Sequence, residues 1–475
     1  MGNGQSSPGQ KCLDAVCGNR TDCVSYPSDP LYHMLWAKPY NLEVPVTPAA
    51  VLRPDNAQDV ADAVKCANEH GYKVQARSGG HSYGNFGLGG EDGALALDLV
   101  NLKGFSMDEE NWHATVGAGI RLGKLDEHLH DNGGRAMAHG TCPGVGIGGH
   151  ATIGGLGPMS RMWGSALDHV VEVEVVTADG AIQRASETEN DDLFWALRGA
   201  GASFGVITEF VVRTHPEPGD VIEYTYSLTF GSQAEMAPVY QEWQEFIGDP
   251  DLDRRFSSQF IAQPLGAIIT GTFYGTEEEY KESGIPDKIP GGSKDGDGIL
   301  LTDWLGSLVH QAELAGLAIS DLPSPFYSKS LAFRTEDLLS KDGITELFQY
   351  VDDADHGTLI WFIIFNSEGG AMSDTAANAT AYPHRDKTMM YQSYAVGVPE
   401  VSDTAREFLE GIHAKIQDGA PGAKSTYAGY IDTELDRAEA QEVYWGSQLS
   451  RLRKVKKEWD PEDRFHNPQS VQPAE

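Results

Sequence analysis

The sequence predicts an α+β fold made of two lobes. Up to His215, short helix-like and strand-like segments follow one another without the regular alternation of a βαβ repeat. A Pro- and Gly-rich break, His215-Pro-Glu-Pro-Gly219, comes next, and after Val221 the apolar runs favour strands of one antiparallel sheet. Because a chain of 475 residues exceeds one typical domain, each lobe can bury a core of its own.

Local signals define most elements of the first lobe. Asp55 or Asn56 is suited to cap a helix that runs to about His70, and Gly71 ends it. Asp179-Gly180 marks a hairpin turn. Residues 1–50 are predicted to be irregular. The other predicted elements are strands over 72–76, 94–99, 114–118, 170–177 and 206–213, and helices over 121–132 and 190–198.

In the second lobe, strands are predicted over 222–230, 259–263, 267–274 and 359–365, and helices over 235–246 and 404–417. The terminal segment 438–459 is predicted as one helix, with its Leu and Val residues facing inward. Lys454, Lys456 and Lys457 are predicted to face mostly outward, as a solvated surface.

Charge and hydropathy exclude several classes of partner. The formal net charge of −35 argues against nucleic acid and anionic membranes, which both attract basic patches. No apolar run approaches the roughly 20 residues of a membrane span. His139 and His150 do not have the spacing of a common zinc pair, so no metal site is expected.

Two glycine clusters predict the cofactor site. Residues 140–157 contain eight glycines, and residues 77–90 form a second cluster with His81 near its start. Backbone amides without side chains suit a bound phosphate. Gly144, Gly146 and Gly149 fit the pattern G-x-G-x-x-G, but the strand and helix that a dinucleotide fingerprint needs are missing on either side. A pyrophosphate held by irregular loops remains open.

The motifs R-S-G-G-H-S at 77–82 and H-G-T-C-P-x-V-G-x-G-G-H at 139–150 resemble those of vanillyl-alcohol-oxidase-type flavoproteins. Within these, the chain is most similar to the berberine-bridge-enzyme branch and its fungal oligosaccharide oxidases. The resemblance implies FAD bound covalently, through its 8α-methyl group to His81 and through C6 to Cys142. If either residue stood alone, an ordinary polar histidine or a buried cysteine would be the simpler interpretation.

The resemblance also implies a division of the chain. An FAD-binding domain of two α/β subdomains is expected from residues 1–218, with a C-terminal segment, 429–475, that returns to it. Residues 219–428 are expected to form a substrate domain, in which helices flank an antiparallel sheet. Further cofactor contacts are expected from Ser78, Gly79, Gly80, Ser82, Gly146, Gly149, His150, Gly155 and Val206.

The resemblance selects Tyr430, in the segment Tyr427-Ala-Gly-Tyr430-Ile-Asp432, as the base that takes the substrate hydroxyl proton. A free tyrosine has a pKa near 10, so it needs help near neutrality. Relatives have an aspartate where this chain has Asn366. An asparagine can orient the phenol but carries no charge, so Asp432 or Glu368 is an alternative helper.

The implied reaction is the oxidation of the anomeric C1 hydroxyl of an oligosaccharide to a lactone, with O2 reduced to hydrogen peroxide. Cello- and malto-oligosaccharides and lactose are the expected substrates. Tyr83 and Gln392 match family positions that face the sugar, and Thr141, Gln259 and Gln263 are weaker candidates, for which solvated surface residues are an equal alternative.

The cysteines and sequons predict a secreted protein. Cys12, Cys17, Cys23 and Cys66 allow three pairings that would pin the N-terminus to the first lobe. The resemblance favours Cys12–Cys66, which leaves Cys17–Cys23. Glycosylation sequons begin at Asn19 and Asn378. A monomer is expected.

Two other functions compete with this one. A berberine-bridge-like oxidase of alkaloids or other secondary metabolites would share the flavin apparatus and differ in the second lobe. A carbohydrate-binding protein that keeps flavin only as a structural element is a third possibility. Such a protein would need none of His81, Cys142 and Tyr430.

Overall fold

The computed structural model describes residues 6–292, 298–308 and 322–475. Two large hydrophobic cores organise it. One gathers residues between Leu13 and Val212 with residues between Ala440 and Val471, together with Ala381. We call the part formed by these two ranges the first lobe. The other gathers residues between Ile222 and Ala423, and we call it the second lobe. On these two cores, we propose the division into 1–218, 219–428 and 429–475.

The strands of the first lobe are β1 (Val24–Ser25), β2 (Ala50–Leu52), β3 (Val74–Arg77), β4 (Leu95–Asp98), β5 (Phe105–Asp108), β6 (His113–Gly117), β7 (Arg135–Ala136), β8 (Val170–Val176), β9 (Ile182–Ser186), β10 (Val206–Arg213) and β11 (His215–Pro216). One sheet has the order β1-β2-β4-β3, in which β2, β4 and β3 are parallel. A second, antiparallel sheet has the order β5-β6-β10-β8-β9, and β7 pairs with β11.

The helices of the first lobe are Pro8–Cys17, Tyr32–Leu35, Ala57–His70, Leu122–Asp131, Ile147–His150, Ser160–Trp163 and Asp191–Ala200, followed near the end of the chain by Arg437–Trp445 and Leu449–Trp459. The helix Ala57–His70 begins as predicted, because the Asn56 side chain accepts the N–H of Asp59. It ends at Gly71, whose φ of 76° suits glycine.

The second lobe is built on a seven-stranded sheet. Its strands are β12 (Asp220–Leu228), β13 (Phe256–Gln263), β14 (Gly266–Tyr274), β15 (Ile299–Asp303), β16 (Phe326–Phe333), β17 (Ile360–Ser367) and β18 (Met389–Val396). The order is β15-β12-β14-β13-β17-β18-β16, and neighbours are antiparallel. The helices are Ala237–Ile247, Glu277–Glu282, Lys341–Asp353 and Asp403–Gly419. The predicted α+β class and the antiparallel sheet are confirmed.

The two faces of this sheet differ. On one face, Phe260, Phe365 and Tyr391 lie side by side and pack into the core with helix residues such as Trp243 and Phe408. On the opposite face, which we call the open face, half-buried and polar side chains alternate with them, since successive side chains of a strand point to opposite sides.

The N-terminal prediction is wrong in one respect. Residues Pro8–Cys17 form a helix, started by a capping box in which Ser7 and Gln10 exchange hydrogen bonds. The predicted pairs Cys12–Cys66 and Cys17–Cys23 are both confirmed. The first pair ties this helix to Ala57–His70, because Cys66 lies on that helix.

The single helix predicted over 438–459 is also wrong. It is broken at Gly446–Gln448, where Gly446 has a φ of 39° that other residues disfavour. Lys454 and Lys457 are exposed, but Lys456 is 0% exposed. Its ammonium donates to Asp460, at 2.6 Å, and to the carbonyls of Ser203 and Phe465. These contacts compensate its burial and attach the end of the chain to the first lobe.

Among the described residues, no helix combines the length and the apolar character that a membrane span requires.

Candidate active site

Two glycine-rich loops of the first lobe meet at their backbones: the first glycine loop, residues 77–90, and the second, residues 140–157. A Cβ atom at Gly79 would lie 2.3 Å from the amide nitrogen of Gly146. A Cβ atom at Gly146 would lie 2.1 Å from the amide nitrogen of Gly79. Only glycine fits at such a contact. It holds the segments that carry His81 and Cys142 next to each other.

His81 and Cys142 are both half-buried. The Tyr40 ring lies beside His81, with 4.7 Å between the ring centroids. The pKa of Tyr430 is raised well above 10, first by burial and then by neighbouring groups that include the Cys142 thiol. Tyr430 comes from the far end of the chain and reaches the second glycine loop through Tyr427, which packs against Tyr430 and accepts the N–H of Gly155.

Two histidines fix the second glycine loop. The His150 Nε2 accepts the N–H of Gly140 at 2.8 Å, and burial, helped by His139 and His81, lowers the pKa of His150 to about 3. His150 is therefore neutral. Burial opposes charge on His139, but the carboxylate of Asp126, 2.6 Å from its Nε2, outweighs it and raises the pKa of His139. The neutral His150 can therefore accept the N–H of Gly140, and a protonated His139 forms a buried ion pair with Asp126.

Tyr430 lies on a segment that is fixed to the second lobe. The Ser330 hydroxyl donates to the carbonyl of Tyr430 at 2.8 Å, which ties the segment to β16. The Tyr427 ring stands perpendicular to that of Tyr430 at 5.1 Å, and its hydroxyl accepts the N–H of Gly155 at 3.0 Å. The first lobe thus holds Tyr427, and Tyr427 packs against Tyr430.

A chain of hydrogen bonds joins two predicted substrate residues through one that sequence reasoning missed. The hydroxyls of Tyr83 and Tyr394 lie 2.5 Å apart, and the Tyr394 hydroxyl donates to the Gln392 side-chain oxygen. Tyr83 comes from the first glycine loop and Gln392 from β18. Tyr394 follows Gln392 by two residues and shares its face of β18, a strand that the sequence did not predict.

Among the described residues, Asn366 makes no hydrogen bond to Tyr430. It lies on β17 opposite Gln259 of β13, and its Oδ1 accepts the Gln259 side-chain N–H at 2.7 Å. Its Nδ2 is buried and has no hydrogen-bond partner among the described residues. Asn366 therefore presents an unused donor on the open face.

The two alternative carboxylates have different surroundings. Asp432 is buried but compensated, because its carboxylate lies 2.9 Å from the Lys329 ammonium and accepts the N–H of Glu434. Glu368 is 7% exposed. Burial, only partly offset by Arg161, raises the pKa of Glu368 to about 8.

Comparison with known proteins gives this arrangement a family. Residues 48–186 match the FAD binding domain, and residues 426–472 match the berberine and berberine-like domain. The chain is 38% identical to the FAD-linked oxidoreductase sorD of Penicillium rubens, over 97% of this chain and 98% of that one. It is 36% identical to the glucooligosaccharide oxidase of Sarocladium strictum, over 91% of this chain and 89% of that one.

A solved structure of similar fold is the xylooligosaccharide oxidase from Myceliophthora thermophila in complex with xylobiose. Its TM-score is 0.90 at 32% identity, and the match covers 99% of this chain and 100% of that one. The chain belongs to the berberine-bridge-type FAD oxidases. This flavin-dependent oxidoreductase shares its vanillyl-alcohol-oxidase fold with the named carbohydrate oxidases, and FAD is its cofactor.

The residues of this oxidase fit FAD. A Cβ atom at Gly149 would meet nothing within 4 Å, so there is open space beside the backbone of the second glycine loop. A pyrophosphate needs such space to approach backbone amides that no side chain covers. Half-buried imidazole and thiol groups stand at the two loops. In a solved glucooligosaccharide oxidase from Acremonium strictum, the flavin is described as 6-S-cysteinyl, 8α-N1-histidyl FAD.

The remaining predicted cofactor residues of the oxidase differ in their hydrogen bonds, backbone conformation and burial. The Ser78 hydroxyl donates to the carbonyl of Ala118 at 2.5 Å, and the Ser82 hydroxyl accepts the N–H of Phe86 at 3.1 Å. Both serines therefore shape the first glycine loop. Gly155 gives its N–H to Tyr427. Gly80 has a φ of 79°, and Val206 is the buried first residue of β10.

Of the weaker substrate candidates, Gln259 and Gln263 lie on the open face of β13 and are half-buried, as is Thr141 in the second glycine loop. Gln259 is held by Asn366, whereas Gln263 lies at the end of the strand. Sequence reasoning also missed Arg161, whose guanidinium donates to the carbonyls of Phe256 and Glu368 and so joins the lobes at the site.

Proposed function

We propose that the protein is a secreted carbohydrate oxidase that converts the anomeric C1 hydroxyl of an oligosaccharide to a lactone and reduces O2 to hydrogen peroxide. Its FAD is attached through His81 and Cys142. The observation that carries the proposal is the convergence of His81, Cys142 and Tyr430, which come from two loops of the first lobe and from the C-terminal segment.

Each part of the chain has a separate task in this reaction. Bound FAD supplies a two-electron acceptor for the C1 hydrogen and returns the electrons to oxygen. Two attachment points on facing loops fix that acceptor in one orientation. Tyr430 takes the proton of the C1 hydroxyl. Tyr83 and Gln392, linked through Tyr394, hold the sugar on the side of the second lobe.

The relatives and the open face support the proposed substrate class. Proteins similar to this one are named glucooligosaccharide, xylooligosaccharide and chitooligosaccharide oxidases. Two polar side chains, Gln259 and Asn366, lie next to each other on the open face. They offer hydrogen-bonding groups to the hydroxyls of a sugar chain. Cello- and malto-oligosaccharides and lactose are the substrates that we propose, with the protein acting as a monomer.

A second candidate function has one observation in its favour. Ile268, Ile261 and Ile364 lie side by side on the open face, half-buried, in a row that ends at Gln392. Such an apolar row suits a secondary metabolite, as a berberine-bridge-like oxidase would bind it. The similarity to sorD, whose name states no sugar, agrees with this alternative.

Peroxide release distinguishes the two. The holoenzyme is supplied with cellobiose, maltose, lactose or xylobiose in air, and in parallel with phenolic alkaloids. Our proposal predicts equal amounts of peroxide and aldonic acid from at least one sugar. Peroxide only from the apolar compounds would contradict it and favour the second candidate. No peroxide from either set, with flavin bound, would favour an idle binding protein.

A further inference from the structure

A short segment between β1 and β2 joins the two lobes beside the first glycine loop. We call this segment, residues 40–43, the N-terminal strap. The N–H of Leu42 donates to the carbonyl of Ser324, just before β16, at 3.0 Å. Glu43 pairs at 2.5 Å with Arg406, which lies on a helix of the second lobe. The strap is therefore attached to the second lobe at two points.

The buried side chain of Asn85 attaches the same strap to the first glycine loop. Its Oδ1 accepts the N–H of Tyr40 at 2.7 Å, and its Nδ2 donates to the carbonyls of Asn41 and Val44, each at 2.7 Å. The Asn41 side chain donates in turn to the carbonyl of Tyr83 at 3.1 Å. Buried polar groups that are all paired rigidify the structure around them. The backbone at Tyr40 is thus fixed against the first glycine loop.

The Tyr40 ring is the part of the strap that contacts His81. Its centroid lies 4.7 Å from that of the imidazole, with 32° between the two planes. The Tyr83 ring lies nearly parallel to the Tyr40 ring at 6.2 Å, and the buried Phe326 ring stands at 74° to it at 5.7 Å. These separations are in the range of favourable aromatic pairs. Rings from both lobes therefore hold Tyr40, and Tyr40 limits the rotation of the His81 side chain.

Attachment of FAD depends on the direction of this imidazole. The unprotonated ring nitrogen of His81 must approach the 8α-methyl carbon to about 3–3.5 Å before a bond can form. An imidazole that moved among its rotamers would meet this condition only part of the time. The new C–N bond replaces one C–H bond of the methyl group and one N–H bond of the imidazole. The electron pair enters the flavin ring, and O2, the oxidant of the proposed function, takes the pair and the two protons as hydrogen peroxide.

We propose that Tyr40 is a positioning residue for the covalent attachment of FAD at His81. The inference rests on the proposed attachment through His81. By packing against the imidazole, the Tyr40 ring keeps the reacting nitrogen directed at the flavin methyl group. Cys142 lies on the second glycine loop, which the backbone contact of Gly79 with Gly146 holds in place. The link at Cys142 should therefore form without Tyr40.

Variants with a single attachment residue test this selectivity. Cys142→Ala leaves only the His81 link, and His81→Ala leaves only the Cys142 link. Each protein is incubated with FAD in air and sampled over time, and the intact mass after acid denaturation gives the fraction of chains that carry FAD. Adding Tyr40→Ala to Cys142→Ala should slow attachment by about 10²-fold, the loss that a misplacement of about 1 Å can cause. Adding it to His81→Ala should leave the attachment rate unchanged.

Two further variants separate the ring contact from other effects. Tyr40→Phe keeps the ring and should attach FAD at the unmutated rate in both single-link proteins. Tyr350→Ala is the matched control, because Tyr350 is also half-buried and stacks on another ring, that of Phe408, at 6.2 Å. It should slow neither link. If Tyr40→Ala does not fold, Tyr40→Leu, which keeps an apolar side chain without an aromatic ring, takes its place with the same expected result.

Three results would overturn the inference: an unchanged rate at His81 in Tyr40→Ala, an equal loss at both links, or a loss in Tyr40→Phe as large as in Tyr40→Ala. An equal loss would mean that Tyr40 supports the binding of FAD in general. A failure of the proposed attachment itself is distinguishable from these results, because flavin would then separate in acid from the unmutated protein, with Tyr40 in place.

Discussion

On the cofactor side of the site, backbone contacts hold the two glycine loops in place. On the substrate side, hydrogen bonds between side chains hold the polar groups in place. Gly79 and Gly146 leave no room for any other residue at the meeting of the two glycine loops. On the open face of the second lobe, by contrast, Gln259 and Asn366 are held by one hydrogen bond between their amides. Side chains on a fixed sheet can change without loss of the fold, whereas a Cβ atom at Gly79 or Gly146 would force the two loops apart.

The largest effect is expected from Tyr430→Phe, which keeps the ring and removes the proton-accepting oxygen. Reduction of the flavin by sugar should slow by about 10²–10⁴-fold, or about 3–5 kcal/mol. Reoxidation by oxygen does not need the base and should hardly change. Stopped-flow absorbance measures both steps, with Tyr350→Phe on the helix Lys341–Asp353 as the control. An unchanged reduction rate would show that the base is assigned wrongly.

A smaller effect is expected on the cofactor side from Gly146→Ala. The added methyl group would lie 2.1 Å from the Gly79 nitrogen and the Ser78 oxygen, so the loops must separate. We expect a loss of about 1–3 kcal/mol in the free energy of unfolding, the usual cost of overpacking, together with incomplete flavin attachment. Gly104→Ala, where a Cβ atom meets nothing within 4 Å, should leave both unchanged. Equal behaviour of the two variants in thermal unfolding and flavin absorbance would refute the account of this contact.

The smallest effect is expected on the substrate side from Asn366→Asp. One carboxylate oxygen can still accept from Gln259, and the other replaces a donor that has no partner. The reduction rate should therefore change by less than about tenfold, or about 1.4 kcal/mol, and a decrease is as acceptable as an increase because a buried carboxylate without a donor is costly. Stopped-flow reduction across pH provides the test. A gain well beyond tenfold would mean that the absence of a carboxylate at this position limits the base.

The contrast between the two sides also decides what could be predicted from the sequence. The helix Ala57–His70 and the strand Val206–Arg213 were predicted because caps and β-branched runs are local signals. The strands Phe326–Phe333 and Met389–Val396 were missed, since they are buried along most of their length and carry Lys, Ser and Gln instead of a clean alternation. The helix Lys341–Asp353 was also missed.

Contacts between distant residues were beyond sequence reasoning. Lys456 was placed on the surface because its neighbours are basic, and only the fold brings the carbonyl of Ser203 to it. The pairing of Gln259 with Asn366 depends on the register of two strands that are far apart in the chain. His81 and Cys142 were identified by their motifs, whereas no local signal relates Arg161 to the carbonyls of Phe256 and Glu368 that it binds.

The central claim is that the two glycine loops bring His81 and Cys142 to one flavin. It is tested most directly by denaturing the holoenzyme in acid and measuring flavin absorbance and intact mass of the chain. The unmutated protein, His81→Ala and Cys142→Ala should each keep FAD attached, and only the double variant should release it. Flavin that separates from the unmutated protein, or that stays attached in the double variant, would contradict the account.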